Sequence, residues 1–218
     1  FSYLYSIKNF EKINSHFDKM NGSYLGPSYK YDYIVDALKE MNAVYKIIED
    51  NQLYDYISNK IIEGKIVGWF QGRSEFGPRA LGNRSILADP RNINMQKNLN
   101  LKTKFRESFR PFAPAVLEEF VDEWFEFDGV SPYMLFVGKV KKNKLLSNQS
   151  LLENGLGNIN NLRSVIPAVT HVDNSARIQT VNKDRNFRFY SLIKSFYNKT
   201  KIPILINTSF NTNDEPIV

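Results

Sequence analysis

Arg73, Arg79, Arg84 and Arg91 are set among Gly72, Gly77, Pro78 and Gly82 in the stretch GWFQGRSEFGPRALGNRSILADPR, residues 68–91. A guanidinium offers a fixed fork of donors suited to carboxylate and phosphate. Glycine lets the backbone come close to a ligand. A glycine-relaxed loop carrying this many arginines reads as a site for a polyanion; the competing reading is a solvated basic turn. Neither Gly-x-x-x-x-Gly-Lys-Ser/Thr nor Gly-x-Gly-x-x-Gly occurs, so any phosphate here is held by arginine forks and loop amides.

Three further blocks hold polar residues at suggestive spacing. Lys102, Lys104, Arg106 and Arg110 repel one another unless an anion or carboxylates sit between them, although a solvated helix end shows the same pattern. In Thr170–Thr180, strand alternation puts Ser175, Arg177 and Gln179 on one face. His171 and Asp173 read there as a turn pair rather than as acid and base, because no nucleophile is marked nearby. Asn207-Thr208-Ser209-Phe210-Asn211 ends an apolar run with short polar side chains, suited to a phosphate, a small amide or merely a strand cap.

These blocks need elements to carry them. Apolar periodicity predicts helices over Asp32–Met41, Asn51–Ile62, Asn92–Lys104 and Phe187–Lys199, with a short one around Phe120–Phe125. On the third, Lys97 and Lys104 are expected on the exposed face. Strands are predicted at Val44–Ile48, Lys65–Phe70, Ser85–Ala88, Pro111–Leu117, Pro132–Val140, Ala176–Val181 and Ile202–Asn207. Lys141–Ser164 is asparagine-rich and reads as a long excursion. With no repeat and no second core pattern, one α/β domain with an insertion is the simplest architecture.

Composition narrows the chemistry. The span from Arg73 to Arg110 holds nine Lys/Arg against three acids, which accounts for the whole net charge of +6. The excess is local, which favours an anion site over a generally basic surface. With no cysteine, thiol nucleophiles, disulfides and cysteine-ligated zinc are excluded; two distant histidines argue against a histidine metal site. No apolar run is long enough to span a bilayer and no signal peptide is evident, so a cytoplasmic location is expected. Phe1 is not an initiator methionine, so the sequence reads as part of a longer protein.

Taken together, "GWFQGRSEFGPRALGNRSILADPR", "KFRESFRPFAPAV", "IPAVTHVDNSARIQTV" and "PILINTSFNTNDEPIV" resemble the carboxyl-terminal domain of the O-carbamoyltransferases, a family of nodulation-factor and antibiotic-tailoring enzymes. "YLGPSY" at Tyr24–Tyr29 extends the likeness upstream, and Lys141–Ser164 is the unmatched part. The resemblance implies a single YrdC-like α/β domain, a twisted mixed sheet with flanking helices, over residues 31–218 with a variable insertion at about 141–164. Residues 1–30 would connect it to an amino-terminal transfer domain. It implies binding of carbamoyl phosphate and ATP, with Mg²⁺ on the nucleotide, to form carbamoyl adenylate. The amino-terminal domain would hold iron or another metal and pass the carbamoyl group to the hydroxyl of a small molecule or saccharide.

By motif position the resemblance gives Arg79, Lys104 and Arg110 catalytic roles. Arg177, Asn207 and Ser209 would bind substrate and nucleotide, and Arg73, Arg84 and Arg106 fall inside the same motifs. The sequence departs from the family at Ser74, usually Met, and at Asn174 and Lys201, where the family usually has Gly. Two other readings compete: an RNA-binding YrdC-like module, disfavoured because Phe76, Phe105 and Phe109 make no stacking ladder, and a scaffold domain without catalysis.

Overall fold

A computed structural model of the chain describes residue 18 and residues 20–146, 163–212 and 215–218. The predicted excursion falls mostly outside them. Only its two ends are described, a 3-10 turn at Lys142–Lys144 and a bridge between Leu145 and Ser164. Most of the expected connecting segment, residues 1–17, is likewise outside.

The described elements run α1 (Tyr31–Glu40), α2 (Asp50–Ile62), β1 (Val67–Phe70), β2 (Arg84–Ala88), α3 (Met95–Lys102), β3 (Ala113–Leu117), α4 (Val121–Trp124), β4 (Phe125–Glu126), β5 (Phe136–Val140), β6 (Ser175–Val181), α5 (Phe187–Thr200) and β7 (Ile204–Ser209). One seven-stranded sheet joins the strands in the order β1-β2-β7-β3-β6-β5-β4. All neighbours are antiparallel except β3 and β6, so the sheet is mixed and the domain single, as expected.

Period-two alternation sorts the strand residues into two cores. Ile86, Ala88, Val116, Ile178, Ile204 and Ile206 face a layer built from Met95 and Leu99 of α3, Trp124 of α4 and Ile166. Leu87, Ala115, Leu117, Val181 and Leu205 face the other way, onto Ile61 of α2 and Phe189, Leu192, Ile193 and Phe196 of α5. On this second face the strands change character towards one end. Beyond Val181 and Leu205 the same face carries Gln179 and Arg177 on β6, and Asn207 and Ser209 on β7. Among the described residues no helix covers that end, and the loop 72–83 lies over it instead, with Ala80 O and Leu81 O accepting from Asn207 and Gln179. A Cβ on Gly82, at φ +104°, would sit 2.2 Å from Cδ1 of Phe189, so the loop reaches α5 only as glycine.

Three expectations need correction. Val44–Ile48 forms no strand: its β-branched and aromatic residues suit one, but no described strand pairs with them, and Val44 and Ile47 are exposed. The helix predicted to Lys104 stops at Lys102, so Lys104 is not on an exposed helical face; it turns inward and is 5 % exposed. Strand β7 runs on through Ser209, so Asn207, Thr208 and Ser209 lie in the sheet rather than beyond its end. Asn174 and Lys201 both adopt left-handed φ, 63° and 61°, the conformation for which glycine is the easier residue.

Candidate functional site

Where β7 ends, β3 begins and β6 passes its first residues, a cleft of about 140 Å³ opens. Its wall includes Arg79 from the loop over the sheet, Arg106 from the segment after α3, Arg177 from β6 and Asn207, Thr208 and Ser209 from β7. Pro78, Pro111, Phe112 and Met134 supply apolar surface, and no carboxylate lines it. Five of the nine residues nominated from sequence thus meet at one cleft: Arg79, Arg106, Arg177, Asn207 and Ser209.

Two of the three cations there are incompletely satisfied, whereas Nε of Arg106 donates to Asn100 Oδ1 at 2.6 Å. Nε of Arg79, Nε of Arg177 and Oδ1 of Asn207 are each buried without a hydrogen-bond partner among the described residues. Burial, and then the charge of Arg79, push the Arg177 guanidinium below its usual value. Burial and then Arg110 do the same to Arg106, with Glu107 opposing. Buried donors normally find acceptors, and like charges gathered in low dielectric call for an anion between them.

Asn207 is oriented by its neighbours. Its amide nitrogen donates to Ala80 O at 3.0 Å and to Gln179 Oε1 at 2.7 Å. Gln179 Nε2 in turn donates to Leu81 O at 2.8 Å, which fixes the glutamine amide. Both partners of the Asn207 nitrogen are acceptors, so its carbonyl oxygen is left as the free acceptor. The cleft therefore offers guanidinium donors together with one amide acceptor.

Lys104 stands behind this wall. Its Nζ faces Ser209 O at 2.5 Å, Ser209 Oγ at 3.2 Å, Asn211 O at 2.8 Å and Asn211 Oδ1 at 2.8 Å. An ammonium has three protons for these four acceptors, so Lys104 ties the end of β7 and sets the Ser209 hydroxyl. Burial and then Arg106 lower its pKa to about 8.

The structure takes three nominated arginines elsewhere. Arg84 is 1 % exposed and donates to the main-chain oxygens of Gln71, Asn83, Pro27 and Gly72, with its guanidinium 3.5 Å from the Phe70 ring centroid. It joins β2 to the loop and does not line the cleft. Arg73 is exposed and donates to Leu25 O. Arg110 is exposed and paired with Glu107 at 3.2 Å; its side chain does not line the cleft, and its charge acts on Arg106. Asp173 is bound by Ser175, not by the His171 ring, and its carboxyl is held low mainly by that hydroxyl; burial lowers His171. Phe76, Phe105 and Phe109 are all exposed, so the case against nucleic acid rests on their small number and not on burial.

Sequence reasoning missed two features. Glu75, an acid inside the basic loop, accepts three main-chain N–H groups through Oε1, from Leu81 at 2.7 Å, Asn83 at 2.8 Å and Arg84 at 3.2 Å. A lone acid among arginines was the available signal. Second, a mostly apolar chamber of about 310 Å³ adjoins the cleft and shares Pro78 and Arg79 with it. Met20, Phe76, Leu81, Tyr133 and Leu135 line it, and these residues are too scattered in sequence to signal a common surface.

Among the described residues no helix is long and apolar enough to cross a membrane, and no group of three or more His, Cys, Asp or Glu could hold a metal ion.

Comparison with known proteins now adds to this geometry. The chain is 42 % identical over 207 residues to nodulation protein NolNO of Sinorhizobium fredii, covering 92 % of the chain and 28 % of that protein. It is 36 % identical over 165 residues to 3'-hydroxymethylcephem-O-carbamoyltransferase of Amycolatopsis lactamdurans, covering 76 % of the chain and 27 % of the relative. An uncharacterized protein of Synechocystis is 51 % identical over 205 residues, 92 % of the chain and 33 % of its own length. The chain thus spans about a third of the relatives it matches. A family model described as the carbamoyltransferase C-terminus matches residues 58–218, which take in every strand and every wall of the cationic cleft, and the chain belongs to that family.

Proposed function

We propose that this chain is the donor-activating domain of an O-carbamoyltransferase, and that its cationic cleft binds carbamoyl phosphate and the phosphates of ATP. The observation that carries the reading is the pairing, in one carboxylate-free cleft, of under-satisfied guanidiniums with the free carbonyl oxygen of Asn207. Phosphate oxygens accept hydrogen bonds and suit Arg79, Arg106 and Arg177. The carbamoyl NH₂ donates, and suits Asn207 Oδ1. The adjoining apolar chamber has the size and lining for a nucleoside, and Arg79 stands on the wall the two spaces share.

In this reading water first releases inorganic phosphate from carbamoyl phosphate, leaving carbamate. A carbamate oxygen then bonds to the α-phosphorus of ATP as the bond from that phosphorus to the bridging oxygen breaks, and pyrophosphate leaves. Fixed guanidiniums aimed at the accumulating charge stabilise the transition state, and holding carbamate beside the α-phosphate supplies proximity. Mg²⁺ would come with the nucleotide and offset its phosphate charge; no carboxylate lines the cleft to hold it. Transfer from the adenylate to a hydroxyl, releasing AMP, belongs to the part of the parent protein outside this chain.

The test is to incubate the complete parent protein with carbamoyl phosphate and ATP and follow products by mass spectrometry. Carbamoyl adenylate and pyrophosphate are expected, both lost in Arg177→Ala. Their absence from folded wild-type protein sinks the reading. Calorimetry on this chain sharpens it: carbamoyl phosphate should bind more tightly than acetyl phosphate, which has no NH₂. Equal affinities would remove Asn207 from donor recognition.

A further inference from the structure

We infer that Glu75 is a positioning residue that holds Arg79 over the cleft by closing the loop 75–84 on itself; the functional consequence rests on the reading of the cleft as a carbamoyl phosphate site. Main-chain N–H groups converging from a turn make an amide nest, a feature that ordinarily receives an outside anion. Here the nest of Leu81, Asn83 and Arg84 receives the chain's own carboxylate.

The segment between the two ends of this staple is thinly held. Phe76, Gly77 and Pro78 are exposed, and Gly77 sits at φ +132° with open space where a side chain would be. The Phe76 N–H donates to Ser23 O at 2.6 Å, but among the described residues the N–H groups of Gly77, Arg79 and Ala80 find no acceptor. Next to Arg79 a single bond ties the tip to the sheet, from Asn207 Nδ2 to Ala80 O at 3.0 Å, and for the rest the place of Arg79 depends on the base of the loop.

That base is well anchored. Leu81 O accepts from Tyr24 Oη at 2.9 Å and from Gln179 Nε2, the same glutamine that orients Asn207. Asn83 Nδ2 donates to Arg73 O at 2.7 Å. Glu75 links this anchored side to the start of the tip. Its ionised oxygen makes charge-assisted bonds, stronger than those of a neutral acceptor. Without it, three N–H groups lose their acceptor, and the tip is left with Phe76 N–H to Ser23 O on one side and Asn207 Nδ2 to Ala80 O on the other.

The experiment uses Glu75→Ala, Glu75→Gln and Arg79→Ala, alone and with Glu75 and Arg79 changed together. Calorimetry measures carbamoyl phosphate affinity, and trypsin measures cleavage at Arg79–Ala80 without ligand. Glu75→Ala should weaken binding about tenfold and speed cleavage by about tenfold, while Glu75→Gln, which keeps an acceptor oxygen, stays within about threefold of wild type. In the Arg79→Ala background, Glu75→Ala should cost no further affinity, because the two residues act as one unit. Unchanged affinity or cleavage in folded Glu75→Ala, or an equal loss in the Arg79→Ala background, overturns the inference. If Glu75→Ala does not fold, Glu75→Asp replaces it, since a carboxylate one carbon shorter cannot span the same nest. Arg79→Ala binding as wild type would instead bring down the reading of the cleft, and the ligand-free trypsin rates would still decide the role of Glu75.

Discussion

Arg84 and Arg79 stand five residues apart in one motif and meet opposite fates. Arg84 is enclosed by four main-chain oxygens and an aromatic face. Arg79 shares a cleft with two other guanidiniums and keeps a buried Nε without a partner. The residue type is the same; the supply of acceptors differs. An arginine whose donors are consumed by backbone oxygens holds the fold together. One whose donors are left over is available for a ligand.

The comparison can be broken most forcefully at Arg84. Arg84→Met leaves buried carbonyl oxygens without donors and should cost about 3 kcal/mol or more of stability, measured by denaturant unfolding. A loss under about 1 kcal/mol would show that the enclosed guanidinium is not structural. Arg177→Ala should do the reverse. The unfolding free energy should stay within about 1 kcal/mol of wild type, because removing one of two repelling charges offsets lost packing, while carbamoyl phosphate binding weakens by about 1.5–3 kcal/mol. Destabilisation without loss of affinity would erase the distinction between the two arginines.

Lys104 lies between these extremes, buried like Arg84 yet beside the cleft. Its folded pKa, about 8, is below that of an unfolded lysine, so the native state gives up its proton first. The stability penalty of burying the ammonium is therefore present below pH 8 and is relieved as pH rises towards the ordinary lysine range. Anion binding runs the other way. Raising pH from 7 to 9 removes a positive charge behind Ser209 and should weaken carbamoyl phosphate binding by about three- to tenfold, with a flat profile in Lys104→Met. A wild-type profile as flat as that of the variant would place Lys104 outside the electrostatics of the site. The smallest effect belongs to Arg110: exposed and paired with Glu107, its replacement by alanine should change affinity by less than about 1 kcal/mol in calorimetry. A loss as large as that of Arg177→Ala would return it to the cleft wall.

Much of the framework was legible because it follows apolar spacing. The α5 residues Phe189, Ile193 and Phe196 lie on one helical face and are buried, and the run at β7 is a buried central strand. Val44–Ile48 shows the limit: β-branched and aromatic content says a segment could be a strand, but pairing decides whether it is one. The candidate cleft was legible as a concentration of guanidiniums and only partly in its geometry. Arg79, Arg177, Asn207 and Ser209 converge, and Arg106 proves nearer the cleft than Arg110. Spacing cannot say which of several arginines meets main-chain oxygens, because that depends on segments far away in sequence, such as Pro27 for Arg84. The inward turn of Lys104 was equally out of reach, since its acceptors lie more than a hundred residues further on.

Strand β7 follows every other described strand in sequence yet sits in the middle of the sheet, between β2 and β3. A chain still emerging from the ribosome has β2 and β3 complete but lacks the strand that joins them, so each presents an unpaired edge. Closing that gap brings together segments about a hundred residues apart, a slow step for which local structure gives little help. The nascent protein is most prone to stick to its neighbours during this interval, and anything that binds those bare edges, a chaperone included, competes directly with the arrival of β7.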